Sequence, residues 1–266
     1  MTARGAALVT GAGRRLGRAM ALTLAGRGHD VAIHYDRSAA AAEEVAAEAR
    51  ALGVRAVTLQ ADLLDAKATG ALVPAATKAL GGLTVLVNNA SIFEHDRLQT
   101  ATAESWDRHF GSNLRAPFFL SQAFAAQVPP PPLDTAGEPL ARGLIVNMVD
   151  QRVLKPTPEF MTYALAKAGL WSLTRMGAQA LAPAVRVNAI APGPTMRADR
   201  QSEGHFARQR AATILQRGAD SDDVCAALGY LLDARAVTGQ MICVDGGQHL
   251  QWRTADILGG NDPLAG

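Results

Sequence analysis

Short apolar runs alternate with helix-length amphipathic segments along the whole chain, and this alternation constrains the fold more than any other feature. Strands buried on both faces of a sheet read as continuous Val, Ile, Leu and Ala runs, and right-handed crossovers make such strands parallel. The pattern therefore predicts an α/β fold, with one doubly wound domain over 1–266 and a mostly parallel sheet of about seven strands. The predicted strands are Ala6–Thr10, Val31–Tyr35, Val54–Gln60, Thr84–Asn88, Leu144–Val149, Val185–Ile190 and Met241–Val244, and the predicted helices include Ala40–Leu52, Lys67–Leu80, Phe160–Leu181 and Asp222–Leu232.

The composition excludes several classes of protein. No apolar run approaches the roughly 18 residues that a membrane span requires, and we expect no signal peptide before the first strand. The net charge is +2, and the Lys and Arg residues are scattered among acids, so we expect no nucleic-acid partner and no membrane association. The two cysteines, Cys225 and Cys243, lack metal-ligand spacing, so we expect reduced thiols, a cytoplasmic location and no metal site.

Three stretches interrupt the alternation or follow it. Residues 129–140 begin with four consecutive prolines, which lack an N–H and cannot continue a helix, so they predict a surface loop. Residues 191–212 follow a strand, and the stretch Ala191–Gly204 within them contains two prolines and two glycines, which predicts a lid over the substrate. Residues 246–266 form a C-terminal tail.

A glycine-rich turn follows the first predicted strand, in the run Thr10-Gly11-Ala12-Gly13-Arg14-Arg15-Leu16-Gly17. Glycines permit a tight turn and close backbone approach, and the N-terminus of the next helix offers N–H groups to a pyrophosphate. The position of the turn at the first strand–helix junction predicts a Rossmann-type dinucleotide site. We expect contacts from Gly11, Arg14, Arg15 and Leu16.

The end of the second strand, His34-Tyr35-Asp36-Arg37-Ser38, bears on the choice of cofactor. NAD-binding proteins usually place an acid here to hold the ribose 2′-hydroxyl, and Asp36 could be that acid. Arg37 and Ser38 instead offer a charge and a hydroxyl that suit a 2′-phosphate, and Arg14 adds a second cation. We therefore predict NADP(H) as the cofactor, with contacts from His34, Tyr35, Arg37 and Ser38.

Other segments at the ends of predicted strands fit the same site. Asp62, followed by Leu63, is placed to accept a hydrogen bond from an adenine amino group. Asn88-Asn89-Ala90 after the fourth strand should lie against the cofactor, because ligands bind at the carboxyl edge of such sheets. Further cofactor contacts are predicted for Asn89, Ala90, Ser91, Pro192 and Gly193.

Tyr163 and Lys167 lie four residues apart and should share one helix face. A free tyrosine has a pKa of about 10 and is a poor acid–base catalyst near neutrality. A nearby cation should lower that pKa, and the lysine can also bind the nicotinamide ribose. The pair predicts a catalytic site that also contacts the cofactor.

Taken together, these features resemble the short-chain dehydrogenase/reductase family over nearly the whole chain. The resemblance implies that Asn113 helps to hold a water linking Lys167 to solvent, and that the protein is a homotetramer. The matching residues are the glycine turn, Asp62, Asn88-Asn89-Ala90, Asn113, Tyr163, Lys167, Pro192-Gly193 and the closing Val237-Thr238-Gly239-Gln240 and Val244-Asp245-Gly246-Gly247.

Two departures from the commonest family pattern narrow the resemblance. The family usually has glycine at Arg15, and it usually has serine where Asp150 stands, thirteen residues before the tyrosine. Both departures resemble the pteridine reductases, in which the arginine reaches pterin and phosphate oxygens. That resemblance implies a pterin site formed by Arg15, Ser91 and Phe93, with the Phe93 ring stacking the pterin over nicotinamide.

The chemistry agrees with an acid at position 150. Reduction of a dihydropterin C=N bond needs hydride at carbon and a proton at nitrogen, which Asp150 and Tyr163 could deliver together. The resemblance to the pteridine reductases thus implies NADPH-dependent reduction of dihydrobiopterin, dihydromonapterin or a dihydrofolate-like substrate. One alternative is a general carbonyl or 3-oxoacyl-thioester reductase of the same family; another is a catalytically silent NADP-binding sensor.

Overall fold

A computed structural model describes residues 5–197 and 201–253, and its centre is a seven-stranded sheet. Every strand pair is parallel, in the order β3-β2-β1-β4-β5-β6-β7. The predicted α/β, doubly wound Rossmann-type domain is confirmed. The strands are β1 (Ala6–Val9), β2 (Asp30–Tyr35), β3 (Ala56–Gln60), β4 (Leu83–Asn88), β5 (Gly143–Met148), β6 (Val185–Pro192) and β7 (Met241–Val244).

Helices cover both faces of the sheet. One face packs against α1, α2 and α8, and the other packs against α3, α5 and α6. The helices are α1 (Arg15–Gly26), α2 (Ala39–Ala51), α3 (Ala66–Leu80), α4 (Ala103–Phe110), α5 (Ala116–Gln127), α6 (Met161–Leu181), α7 (Glu203–Ala211) and α8 (Ser221–Asp233). A π-helical turn, Gly111–Arg115, joins α4 to α5.

The core divides along the sheet because successive strand side chains point to opposite faces. In β1, Ala7 and Val9 join the core beneath α1 and α8, whereas Ala6 and Leu8 join the core beneath α3 and α5. All four side chains are buried, which explains why this strand reads as an unbroken apolar run.

The strand order reverses at β1, which lies between β2 and β4. The loops after β1 and β4 leave the sheet side by side there, and the reversal opens a crevice at the carboxyl edge. Thr10 joins the two loops: its hydroxyl accepts hydrogen bonds from the backbone N–H groups of Asn89 (2.9 Å) and Ala90 (3.0 Å). The fold thus places the predicted cofactor segments together.

Two segments outside the helices and strands were singled out in the sequence: residues 129–140 and the C-terminal tail. Residues 129–140 are mostly exposed, with an isolated bridge between Leu133 and Pro139. At the C-terminal end, the Lys155 ammonium donates to the Gln251 carbonyl, while residues 254–266 of the predicted tail lie outside the described residues. Within the described chain, no helix combines the length and the apolar character that crossing a membrane demands.

Candidate active site

A cleft of about 680 Å³ opens at the carboxyl edge of the sheet. It lies beside the β1–α1 turn and is bordered by the loops after β2, β3, β4, β5 and β6. The sequence-predicted residues that line it are Gly11, Arg14, Arg15, Leu16, His34, Arg37, Asp62, Leu63, Asn89, Ala90, Ser91, Phe93, Asp150, Pro192 and Gly193.

His34 holds the glycine turn in shape. Gly11 has a left-handed backbone (φ +62°), and its N–H donates to His34 Nδ1 at 3.0 Å. His34 Nε2 in turn lies 3.0 Å from the Ala61 carbonyl, so the neutral ring accepts at Nδ1 and donates at Nε2. Burial lowers the pKa of His34, which favours this neutral form. Both nitrogens of this predicted cofactor residue are therefore engaged with backbone.

The turn has the close backbone approach that a pyrophosphate site needs. A Cβ at Gly17 would lie 2.2 Å from the Gly11 carbonyl oxygen, so only glycine fits at this position in the first turn of α1. Helix α1 has no acidic residue in its first turn, and the cations Arg14 and Arg37 line the adjoining cleft. A dinucleotide diphosphate fits these residues.

Arg15 occupies a backbone conformation that explains why the family usually has glycine there. Its φ is +54°, in the left-handed region that disfavours a side chain. The guanidinium donates to the carbonyl oxygens of Met196 (2.9 Å) and Arg197 (2.8 Å). Arg15 therefore joins the glycine turn to the segment that follows β6.

The predicted 2′-phosphate residues occupy different environments. The Arg37 side chain is 90% exposed, and its Nε lies 3.3 Å from Asp36 Oδ2. Ser38 precedes α2 and lies close to Gly13, where an added Cβ would be 3.0 Å from Ser38 Oγ. Tyr35 packs against the hydrophobic core. Within the described part of the chain, Arg37 lines the cleft, whereas Tyr35 and Ser38 do not.

Tyr163 and Asp150 are in direct contact beside the cleft. The Tyr163 hydroxyl donates to Asp150 Oδ2 at 2.9 Å, and Asp150 Oδ1 accepts from the Arg152 N–H at 2.8 Å. Burial raises the pKa of the Asp150 carboxyl. Burial, followed by the Asp150 charge, raises the pKa of Tyr163 well above 10. We predicted a lowered tyrosine pKa; desolvation and the carboxylate reverse that direction.

Lys167 lies beneath this pair and is 2% exposed. Its ammonium donates to the Met148 carbonyl at 2.7 Å and lies 5.7 Å from the centroid of the Tyr163 ring. Burial lowers the pKa of Lys167 to about 8. Asn113 lies in the π-helical turn, where its carboxamide makes two hydrogen bonds with the Ile92 backbone, at 2.9 and 2.8 Å.

Aromatic rings connect the loop after β4 to the start of α6. The rings of Phe93 and Phe160 stack with centroids 4.3 Å apart and planes 10° apart. Phe93 also meets the Tyr163 ring edge-on, at 4.6 Å. Phe160 precedes α6 with a left-handed backbone (φ +58°). The predicted substrate residue Phe93 is thereby held beside the predicted acid.

Asp96 anchors the first turn of α6. Its carboxylate accepts hydrogen bonds from the Thr162 N–H (3.1 Å), the Thr162 hydroxyl and the Ser105 hydroxyl (3.1 Å). Burial acts to raise the pKa of Asp96, but these hydrogen bonds outweigh it and the pKa lies below its ordinary value. His109 Nδ1 also lies 2.7 Å from the Thr162 hydroxyl. This network positions the helix that carries Tyr163.

Our sequence reasoning did not identify four residues at this site: Asp96, Gln151, Arg152 and Phe160. Gln151 and Arg152 follow Asp150 directly and line the cleft, so their adjacency to the predicted acid was an available signal. Asp96 and Phe160 contact segments far away in the sequence, and no local pattern marks them.

Three comparisons place the chain among known proteins. The family described as enoyl-(acyl carrier protein) reductase matches residues 11–249. Pteridine reductase 1 of Leishmania tarentolae is 34% identical over 288 residues, covering 92% of this chain and 96% of the relative. The 3-oxoacyl-[acyl-carrier-protein] reductase FabG of Staphylococcus aureus (strain Mu50 / ATCC 700699) is 32% identical over 249 residues, covering 92% and 98%.

Among solved structures, FolM alternative dihydrofolate reductase 1 from Brucella suis in complex with NADP is similar, with a TM-score of 0.88. The two chains are 42% identical, and the match covers 96% of this chain and 99% of that one. The fold, the site and these matches identify the class of the protein as an oxidoreductase. The chain belongs to the short-chain dehydrogenase/reductase family. The predicted family and its likeness to pteridine reductases are confirmed.

Proposed function

We propose that the protein reduces a dihydropteridine-type substrate with NADPH, the substrate being dihydrobiopterin, dihydromonapterin or a dihydrofolate-like compound. The observation that carries this proposal is the hydrogen bond from the Tyr163 hydroxyl to Asp150. An ionised carboxylate cannot donate a hydrogen bond to a substrate carbonyl, as a serine hydroxyl can. A carboxyl and a phenol in contact can instead hold a proton and pass it to a ring nitrogen.

The residues of the glycine turn and the loops after β2, β3 and β4 would hold the cofactor. NADPH, when bound, supplies the hydride. Arg37 and Arg14 would pair with the 2′-phosphate, and the raised pKa of Tyr163 keeps its hydroxyl protonated and able to donate. Lys167 would bond the nicotinamide ribose, and Asn113 would help to hold a water that links Lys167 to solvent.

The substrate would bind at the same edge of the sheet. Phe93 and Ser91 both line the cleft, and the Phe93 ring lies 4.6 Å from that of Tyr163. A planar pteridine ring gains from stacking on an aromatic side chain, which places its reacting bond beside the acid. Arg15 would contact pterin and phosphate oxygens. Of the lid predicted over residues 191–212, the first two residues belong to β6, so the lid would begin after Pro192; its described part contributes Met196 and Phe206 to the cleft.

The relatives support this assignment and also favour a second candidate. Pteridine reductase 1 and FolM are named for pteridine and dihydrofolate reduction, whereas FabG is named for 3-oxoacyl reduction. Because FabG is matched at 32% identity, reduction of a 3-oxoacyl thioester is the alternative. Asp150 argues against it, since the substrate oxygen would meet an acceptor.

A substrate panel separates the two candidates. We expect the purified protein to oxidise NADPH, followed by absorbance, with dihydrobiopterin, dihydromonapterin or dihydrofolate as substrate. Acetoacetyl thioesters should be turned over far more slowly. Turnover of acetoacetyl thioesters alone would assign the protein to the second candidate.

We also propose that the protein is a cytoplasmic homotetramer. Exposed aromatic side chains on α5, Phe118 and Phe119, lie beside Met176 of α6, and these residues border a second groove. Burying such a patch against another copy would remove apolar surface from water. The mass in solution, measured by light scattering, tests the tetramer.

A further inference from the structure

The side chain of Gln151 combines burial with an unsatisfied polar atom. The residue is 6% exposed and lines the cleft directly after Asp150. Its side-chain oxygen, Oε1, has no hydrogen-bond partner. Among the described residues, Gln151 is the one cleft-lining residue with a buried, unsatisfied side-chain atom.

Such an atom is costly in a folded protein. A buried acceptor that lacks a partner loses about 1–3 kcal/mol relative to its hydration in the unfolded chain. The backbone of Gln151 is already committed, because its carbonyl accepts from the N–H groups of Leu154 (3.0 Å) and Lys155 (3.2 Å). The side-chain oxygen, by contrast, accepts no hydrogen bond that would stabilise the fold. The fold alone therefore does not explain why residue 151 is a glutamine.

We propose that Gln151 is a substrate-recognition residue whose side-chain oxygen accepts a hydrogen bond from an N–H group of the bound ring. An oxygen can only accept, so the ligand must donate. A dihydropteridine carries amino and ring N–H groups, whereas a simple ketone carries none. This inference rests on the proposed function and deepens it: Asp150 and Tyr163 supply the proton, and Gln151 selects a nitrogen-rich ring.

The test is the substitution Gln151→Met, which removes the acceptor and keeps the length of the side chain. We expect KM for the dihydropterin to rise about tenfold, the value of one hydrogen bond to a buried partner. The value of kcat should change less than KM, and the Kd for NADPH should not change. KM for a simple ketone that has no N–H group, if one is turned over, should also be unchanged.

A thermal melt separates recognition from a structural role. Removing an unsatisfied buried oxygen should leave the Tm unchanged or raise it, while the dihydropterin KM rises. Gln151→Leu repeats the test with a second apolar side chain. Gln240→Met is the matched control. Gln240 is exposed immediately before β7, at the edge of the sheet opposite the cleft, and its side-chain amide donates to the Thr238 carbonyl.

The outcomes are distinct. An unchanged dihydropterin KM in both Gln151 variants, with active wild-type protein, overturns this inference and leaves the proposed function standing. A lowered Tm with equal losses on all substrates also overturns it, because Gln151 would then be structural. Wild-type protein that fails to reduce any dihydropterin overturns the proposed function and this inference with it.

Discussion

The Tyr163 hydroxyl donates a hydrogen bond to the Asp150 carboxylate across 2.9 Å, in a setting that raises the pKa of both groups. Desolvation disfavours the charged form of each group, and a pKa well above 10 keeps the tyrosine hydroxyl protonated near neutral pH. A reductase needs a protonated group at the reacting nitrogen, and this pair meets that need without a phenolate in the resting state. The relationship between these two residues is the centre of the proposed mechanism.

The loss of the tyrosine hydroxyl should stop turnover. Tyr163→Phe removes the donated proton and little volume, so we expect no measurable dihydropterin reduction and an unchanged Kd for NADPH. Stopped NADPH oxidation together with intact binding, measured by fluorescence, checks this. Tyr230→Phe is the control, because Tyr230 is exposed on α8. Near wild-type rates in Tyr163→Phe would show that another group is the acid.

The buried ammonium of Lys167 should make stability depend on pH. Its pKa is lowered from 10.5 to about 8. At a pH between these two values the lysine is mostly protonated in the unfolded chain and mostly neutral in the folded chain, so the unfolded chain binds more protons. Stability therefore rises with pH in that window. We expect the free energy of unfolding of wild type, relative to Lys167→Met, to increase from pH 8 to pH 9.5. Denaturant titrations at both pH values test the sign, and a falling difference would contradict it.

Selectivity for NADPH should depend on Arg37. Its guanidinium is exposed at the cleft and would pair with a 2′-phosphate, a charge-assisted bond worth about 1.5–3 kcal/mol, or roughly ten- to a hundredfold in affinity. Arg37→Ala should weaken NADPH binding by that factor and leave NADH binding nearly unchanged. Titration calorimetry with both cofactors measures this. Arg142→Ala, an exposed arginine before β5, serves as the control. Equal wild-type affinities would refute the assignment.

The carboxylate of Asp96 should stabilise the first turn of α6. It is 4% exposed and accepts three hydrogen bonds from Thr162 and Ser105. In Asp96→Asn, the side-chain NH2 group replaces one carboxylate oxygen and faces hydrogen-bond donors of Thr162 and Ser105, with which it cannot pair. We therefore expect a loss of about 1–3 kcal/mol in the free energy of unfolding. Because the folded pKa is lowered, this stabilisation is present above the unfolded pKa and is lost as the pH falls through the folded pKa. Asp107→Asn, exposed on α4, should cost nothing measurable.

The fold could be predicted from the sequence because its signals are local. A strand buried on both faces is continuously apolar, so the predicted Val185–Ile190 lies within the observed β6. The glycine turn and the Tyr163–Lys167 spacing are likewise short-range patterns.

The details of the site depend on contacts between distant segments, which a sequence pattern does not record. Phe93 stacks on Phe160, and Arg15 reaches the carbonyl of Met196. The tyrosine pKa was mispredicted for the same reason: spacing indicates the neighbouring lysine, but it does not reveal the degree of burial or the charge of Asp150 against the hydroxyl.

The most direct test of the account is the ratio of dihydropterin to ketone kcat/KM in wild type and in Asp150→Ser. A serine can donate to a carbonyl oxygen but cannot hold a proton for a ring nitrogen as a carboxyl can. We expect dihydropterin kcat/KM to fall at least about tenfold, or ~1.4 kcal/mol in transition-state stabilisation, while ketone reduction is spared or increased. A parallel fall in both activities would show that Asp150 is a structural carboxylate and would contradict the assignment.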